Sequence, residues 1–198
     1  MAIEYQNRRG DTYFLQAGKT KTGKPKCYFG KKKTGEPVDT IPAGYEIREN
    51  PDNAQVMLRK VRPTEISPME KELLCNGIRA RTNLTHFIVD VDGDSLVVYV
   101  PDTLPQEAES LVERLSAIGG QMPSSIRAIA AQFVTRSRYS PMMRFSLTDP
   151  DERLFCLERW CFLGSIDNWF PLAGPTPLSI LIEKYVEHLG RESFYELV

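Results

Sequence analysis

Short apolar and aromatic runs separated by turn residues dominate the first sixty positions. The runs are Thr12–Ala17, Lys26–Gly30, Gly44–Glu49 and Ala54–Lys60, with Gly, Pro, Asn and Asp between them. Runs of this kind predict β-strands, and turns about ten to twelve residues apart predict a meander or a small barrel. We therefore expect residues 1–62 to form a small antiparallel β unit.

Helical spacing begins at Ser67. A serine N-cap, followed by Pro68 at the first helical position and by Glu70, is the arrangement of a capping box. Leucine and isoleucine residues then recur along one side of the segment. The pattern predicts a helix that starts at Ser67 and either ends near Asn76-Gly77 or runs on to Arg81.

Apolar runs flank an Asp92-Gly93 dipeptide within His86–Val100. Such a dipeptide between apolar strands predicts a hairpin with a type I′ turn. Asp90, Asp92 and Asp94 alternate as calcium ligands do, but Gly93 falls at the fourth position of an EF-hand loop instead of the sixth, and no glutamate stands at the twelfth. The hairpin is therefore the favoured interpretation.

Two further helical patterns follow, Thr103–Ile118 and Pro123–Phe133, joined by a Gly-Gly turn. A helix, a tight turn and a basic helix are typical of DNA-reading helix-turn-helix proteins. The first of these helices is acidic, however, and would lie near phosphate. A packed helix pair is the better interpretation.

The last third of the chain predicts a hairpin and a helix. Met142–Asp149 and Arg153–Gly164 flank the turn sequence DPDE, which favours a hairpin. Thr176 is expected to cap a final helix with Pro177 at its first position. The tail, residues 191–198, is too apolar for a free end and is expected to dock on the body or on a partner.

These elements predict an α+β fold in two domains. A small antiparallel β module, meander or barrel-like, occupies residues 1–62, and a larger α+β domain with β-hairpins and about four helices occupies residues 63–198. The chain has 198 residues, of which 41% are hydrophobic and 26% charged, as expected for a globular protein. It contains neither a long apolar run nor the apolar core of a secretory signal, so we expect a cytoplasmic protein that does not enter membranes.

Charge is divided unequally between the two predicted domains. Residues 1–62 hold 13 Lys or Arg against 7 Asp or Glu, a net +6, and residues 63–198 hold 12 against 19, a net −7, which agrees with the overall charge of −1. Such a division indicates that one half meets a polyanion or that the halves attract one another.

The segment GKTKTGKP, residues 18–25, differs at one position from a phosphate-binding loop. Pro25 replaces the hydroxyl residue that would hold magnesium, and it also removes a backbone N–H from the phosphate-binding nest. KTGKP at Lys21–Pro25 recurs as KTGEP at Lys33–Pro37. Both are interpreted as turns whose lysines are exposed.

Signs of catalysis and of metal binding are sparse. The four cysteines form no CxxC pair, and only His86 and His188 could join them as zinc ligands. We expect reduced cysteines, structural histidines, no cofactor and no metal site. No GxSxG, HExxH or SxxK motif is present. An enzyme with dispersed catalytic residues is therefore less favoured than either of the two binding functions considered next.

A basic cluster with interleaved aromatic residues is the strongest functional feature of the sequence. Nine cations fall within 26 residues: Arg8, Arg9, Lys19, Lys21, Lys24, Lys26, Lys31, Lys32 and Lys33. Clustered cations neutralise phosphates, and aromatic rings such as Tyr13 and Tyr28 can stack on unpaired bases. We expect a non-catalytic protein that binds nucleic acid or another polyanion. The alternative is a protein-interaction adaptor that uses the acidic domain and the apolar tail, with the basic loops merely solubilising.

Overall fold

The computed structural model describes residues 2–102, 114, 136–163 and 166–197. These residues form mostly β-structure, in three sheets with two α-helices. The predicted α+β class with about four helices is therefore wrong for the described part of the chain. The helices expected over 103–118 and 123–133 lie outside the described residues, apart from Arg114. The β content is high because the strands near the C-terminus are long; one of them spans 12 residues, Ile166–Pro177.

The N-terminal β-structure consists of a four-stranded sheet and a separate hairpin. The sheet contains β1 (Glu4–Gln6), β2 (Thr12–Lys19), β3 (Pro25–Gly30) and β4 (Glu36–Pro37), and the hairpin contains β5 (Tyr45–Glu49) and β6 (Val56–Lys60). Strand β2 is central, with β3 along one edge and both β1 and β4 along the other. All these pairings are antiparallel, as predicted. A small core built on Leu15, Phe29 and Val56 joins the sheet to the hairpin.

A five-stranded antiparallel sheet forms the larger part of the molecule. Its strands are β7 (Ile88–Val91), β8 (Ser95–Pro101), β9 (Tyr139–Asp149), β10 (Leu154–Leu163) and β11 (Ile166–Pro177), in the spatial order β11-β10-β9-β8-β7. Two helices, α1 (Pro68–Arg81) and α2 (Leu178–Tyr185), pack on it through a shared apolar core. Short 3₁₀ turns follow at Val186–His188 and Glu192–Glu196.

The predicted start of α1 is confirmed. The Ser67 hydroxyl accepts a hydrogen bond from the Glu70 N–H at 3.2 Å, and the Glu70 carboxylate accepts one from the Ser67 N–H at 2.8 Å. This reciprocal pair satisfies two of the N–H groups that a helix N-terminus leaves without partners. The helix ends at Arg81, the last position that the sequence allowed.

The hairpin at Asp92-Gly93 is also confirmed, with a different turn type. Val91 pairs with Leu96, and the Asp92 N–H donates to the Ser95 carbonyl at 3.0 Å. Of the turn residues only Gly93 has a positive φ, of 58°. A type I′ turn needs two such residues, so the glycine at the first central position indicates the type II′ alternative.

The C-terminal part confirms one hairpin and corrects the helix start. Strands β9 and β10 pair as predicted. Thr176 does not cap a helix, because it pairs with Phe155 inside β11, and the helix begins at Leu178 without a side-chain cap. Strand β11 lies at the edge of the sheet, the position in which strand prolines are tolerated.

The apolar tail docks on the body of the protein. Phe194 is fully buried in the large core, and the Leu197 carbonyl accepts a hydrogen bond from the Arg159 Nε at 2.8 Å. Of the two positions expected for the tail, contact with the body is the one observed. Tyr195 is an exception, since 59% of it remains exposed.

Ion pairs join the N-terminal hairpin to the edge of the large sheet. Arg48 binds Asp90, and both side chains are largely buried. Arg59 and Arg62 both contact the Asp92 carboxylate, at 3.2 and 3.0 Å. Burial raises the pKa of Asp90 in spite of the Arg48 charge. The two oppositely charged regions of the sequence therefore do attract one another along this edge.

Candidate polyanion-binding surface

The segment that resembles a phosphate-binding loop is the tip of the β2–β3 hairpin. Lys19 pairs with Pro25, and the Thr20 N–H donates to the Lys24 carbonyl at 2.8 Å. The chain reverses through Gly23, whose φ is 80°, and the Thr20 hydroxyl accepts the Lys24 N–H at 3.1 Å. No helix follows the turn, so the geometry is that of a hairpin and not of a nucleotide-binding loop.

Four lysines surround this tip and are called the tip lysines: Lys19, Lys21, Lys24 and Lys26. All four are exposed. Within the described part of the chain, none of them forms an ion pair. No Asp or Glu occurs between Thr12 and Gly35, so neighbours in the sequence provide no compensating charge. The positive charge at the tip therefore faces solvent without a counter-charge from the described residues.

Three other lysines, Lys31, Lys32 and Lys33, lie at the opposite end of β3 and are called the loop lysines. Four residues of β3, Cys27 to Gly30, lie between Lys26 and Lys31, a span of about 17 Å at the usual rise per strand residue. The Lys31 ammonium binds Asp11 at 2.8 Å, and Lys33 lies 3.4 Å from Glu4. The Lys31–Asp11 hydrogen bond raises the pKa of the lysine and lowers that of the aspartic acid. The structure thus divides the predicted lysine cluster into an uncompensated group and a largely compensated one.

A buried glutamine holds the loop that carries these three lysines. Gln16, only 1% exposed, donates from Nε2 to the Lys32 carbonyl at 2.7 Å. Its Oε1 accepts the N–H groups of Thr34 and Gly35 at 2.7 and 2.6 Å. A Cβ at Gly35 would lie 2.5 Å from the Ala17 carbonyl oxygen, so only glycine lets the loop approach β2 this closely. The loop lysines are therefore fixed by backbone contacts.

The two arginines of the predicted site are engaged inside the molecule. Arg8 is 18% exposed; it binds Glu49 at 2.9 Å, and its guanidinium lies 4.9 Å from the Tyr139 ring centroid. Arg9 donates to the Ser137 carbonyl at 2.9 Å. Both arginines thus connect the N-terminal sheet to the start of β9. This role could not be predicted from the sequence, because the partners lie far away along the chain.

The aromatic residues of the predicted site also pack against other parts of the protein. Tyr13 belongs to the small core and is 8% exposed, with the Lys31 ammonium 5.5 Å from its ring centroid. Tyr28 lies against Gly18, where a Cβ would come within 3.0 Å of the ring, and Lys26 lies 5.1 Å from the ring centroid. Neither ring presents a fully open face on which a base could stack.

A cavity beside the tip supplies an aromatic residue that the sequence did not single out. It measures about 300 Å³ and is lined by Ala17, Pro25, Lys26, Cys27, Pro42, Tyr45 and Leu58. Tyr45 is 39% exposed and lies at the start of β5. The cavity, called the tip pocket, places an accessible ring next to two tip residues. The sequence placed Tyr45 in a predicted strand, but it did not show that this strand lies beside the β2–β3 hairpin.

Other candidate chemistry is limited in the described residues. They contain no group of three or more His, Cys, Asp and Glu side chains placed to hold a metal ion. None of the described helices has the length and apolar character needed to cross a membrane. His188 shares a hydrogen bond of 2.9 Å with the Ser193 hydroxyl near the docked tail, which is a structural contact. All four cysteines are free thiols.

No protein-family model matches the chain, and comparisons with curated proteins and with solved structures find no match.

Proposed function

We propose that the β2–β3 hairpin tip binds the phosphate backbone of a nucleic acid. One observation supports this proposal above the others: the tip lysines are exposed and form no ion pair with any described residue, while neighbouring cations such as Arg8 and Lys31 have acidic partners. Like charges held close together on one hairpin repel one another. A bound polyanion relieves this repulsion, so the arrangement favours a polyanion site. Arg8 and Arg9 are not part of the proposed site, because they connect the sheets internally.

The tip lysines set the expected salt dependence. Each phosphate contact to a single strand contributes about −0.7 to the slope of log K against log salt concentration, so four contacts predict a slope of about −3. Binding should be strong only at low ionic strength. A mode based on phosphate contacts should also show little sequence preference.

The tip pocket favours a single strand over a duplex. Its volume of about 300 Å³ and its exposed Tyr45 suit one unstacked base beside the backbone held by the tip lysines. Stacking of a base on an aromatic side chain contributes about 1–3 kcal/mol. A base within a duplex is already stacked and is not available for this contact.

The competing explanation is that the lysines only protect an exposed strand. Strand β3 lies at the end of its sheet, and lysines on edge strands discourage aggregation. In that case no salt-dependent binding is expected, and the lysines should be replaceable by any soluble residue. Substitution of the tip lysines by glutamine, which removes the charge and keeps the side chain polar, separates the two explanations.

The test compares two matched variants in a fluorescence anisotropy titration with a labelled single-stranded oligonucleotide over a range of salt concentrations. The tip variant carries Lys21→Gln, Lys24→Gln and Lys26→Gln, and the control variant, which loses the same charge, carries Lys31→Gln, Lys32→Gln and Lys33→Gln. We expect the tip variant to lose most of the affinity and most of the slope, and the control to lose little. Equal loss in both variants, or no binding by the wild type at low salt, would overturn the proposal.

A second comparison tests the role of the tip pocket. Tyr45→Ser should weaken binding to the single strand about 5- to 150-fold, the equivalent of one stacked base, and leave the salt slope unchanged. Binding to a duplex should be unaffected. If the substitution lowers both equally, the tyrosine is structural and the preference for single strands is wrong.

A reducing compartment such as the cytoplasm suits four free cysteines.

The alternative function, a protein-interaction adaptor, is weakened in one respect, because Phe194 of the apolar tail is buried in this chain's own core. A different surface of the large sheet is more suitable for a protein partner.

A further inference from the structure

Strands β9 and β10 run together for part of their length and then separate. Their last pair is Met143 with Arg159. Beyond it, β9 continues beside β8 through a register shift, with Tyr99 opposite Pro141. Strand β10 continues beside β11 to the closing pair of Leu163 and Ile166. The large sheet is therefore forked at this end.

The fork leaves backbone hydrogen-bonding groups of β10 available. Leu163 pairs with Ile166 with two residues between them, the spacing at which a flanking antiparallel pair is the hydrogen-bonded kind, so the pairs of β10 and β11 alternate from there. By this alternation the N–H and C=O of Phe162 point away from β11, toward the fork. Among the described residues, no strand pairs with Phe162 on that side. Such groups bind either water or another extended chain.

A groove of about 430 Å³ occupies the fork. Its apolar lining includes Met142, Phe162 and Tyr195, and the last two are 44% and 59% exposed. Its polar rim carries the carboxylates of Asp102 and Glu192. A further hydrogen bond, from Ser140 to Asp102 at 2.6 Å, fixes one of them. Arg191 also lines the rim, so the rim carries one cation and two anions.

We propose that this groove binds an extended peptide segment of a partner protein, which adds a short strand to β10 at Phe162. The available backbone groups require an extended chain, since no small molecule presents N–H and C=O groups at strand spacing. Alternate side chains of an added strand point to one face, so one large apolar side chain enters the groove between Phe162 and Tyr195. The acidic excess of the rim favours a basic residue beside it. This site is separate from the hairpin tip and does not depend on the function proposed there.

Hydrogen exchange of the intact chain tests whether the edge is available. In the free protein, the Phe162 amide should exchange much faster than the neighbouring Cys161 amide, which faces β11. A slow Phe162 amide in the free protein would overturn the proposal, because another part of the chain would then occupy the edge.

Selection from a phage-displayed library of random peptides of about six residues, the length of an average strand, identifies a probe for the groove. We expect the selected peptides to share alternating apolar positions and a basic residue. A synthetic copy should protect the Phe162 amide, and N-methylation of one of the peptide's backbone nitrogens on the β10 side should lower its affinity at least 10-fold. Failure to select any peptide, or equal affinity after methylation at every position, would contradict strand addition.

Surface variants locate the binding without affecting the fold. Tyr195→Ser and Glu192→Lys change exposed groups and should each lower the affinity for the peptide at least 5-fold. Phe170→Ser, a comparable exposed aromatic on β11 that does not line the groove, is the matched control and should bind normally. Equal loss in all three would overturn the assignment. Concentration-dependent dimerisation abolished by Tyr195→Ser would overturn it as well, since a second copy would then fill the groove.

Discussion

Substitution of Glu70 tests how the helical layer is fixed to the large sheet. Besides closing the capping box of α1, Glu70 accepts two hydrogen bonds from Arg153, one of them from Nε at 2.9 Å. Arg153 lies in the turn between β9 and β10 and also donates to the Glu65 carbonyl at 3.0 Å. One carboxylate thus joins the start of the helix to a turn of the sheet 83 residues further on.

The expected magnitudes follow from the separate contacts. The Arg153 side chain is 38% exposed, so solvent screening limits its ion pair to about 1 kcal/mol. Glu70→Gln keeps an acceptor for the Ser67 N–H and should cost only that amount. Glu70→Ala loses the capping bond as well and should cost about 2 kcal/mol. For a chain of this size these losses lower the melting temperature by roughly 3 and 6 °C.

The pH dependence supplies an independent check. Burial alone would raise the pKa of Glu70, but the hydrogen bonds from Arg153 and Ser67 outweigh it and hold the pKa below its usual value. A lowered folded-state pKa gives stability that is complete above the pKa of the unfolded chain, about 4.3, and is lost as the pH falls through the folded value. The difference between wild type and Glu70→Gln should therefore shrink on acidification.

Thermal unfolding followed by circular dichroism at pH 7 and at several acidic values measures these differences. Glu72→Gln, an exposed carboxylate of the same helix, serves as the control and should melt with the wild type. The reasoning is refuted if Glu70→Gln is as stable as wild type at pH 7, or if its deficit persists unchanged at acidic pH.

Two further predictions concern close contacts. Gly77→Ala places a Cβ 2.3 Å from the Ile182 Cγ2, so the helices must separate and thermal melting should show a loss of about 1–3 kcal/mol. The cost of Gly77→Ala should be smaller when it is measured in an Ile182→Ala background. An equal cost in both backgrounds would exclude overpacking as the cause. Gln16→Leu leaves the N–H groups of Thr34 and Gly35 without their acceptor, and because Thr34 is exposed and Gly35 half-buried, water replaces part of the contact and the loss is about 0.5–1.5 kcal/mol for each bond. Both amides should then exchange faster by nuclear magnetic resonance, and unchanged exchange would contradict the role of the glutamine.

Features set by neighbouring residues could be predicted from the sequence. Ser67 and Glu70 are three positions apart, and a capping box needs nothing from the rest of the chain. Asp92-Gly93 likewise specified a hairpin, although the type of turn depended on which residue took the positive φ. The failure at Thr176 has the opposite cause. Its local signals favoured a helix start, but pairing with β10 extends the strand through that position.

The candidate site shows the same division. The exposure of Lys21 and Lys24 followed from their place in a predicted turn, whereas Lys19 and Lys26 lie in the flanking strands. The use of Arg8 inside the molecule did not, because Glu49 and Tyr139 are 41 and 131 residues away from it in the chain. Tyr45 could not be assigned to the site for the same reason. Both residues reach their neighbours only because the N-terminal sheet packs against the β5–β6 hairpin, and the sequence pattern does not specify this packing.

The hairpin tip contributes little to either core, since every residue from Lys21 to Lys26 is exposed. Apart from Gly23, whose φ of 80° favours glycine, substitution there should cost the fold almost nothing, so ligand preference can change at the tip while the scaffold stays constant. An epitope inserted at the tip should therefore leave the fold intact while it blocks the binding proposed for the tip lysines, which gives a folded, tagged negative control for work in cells.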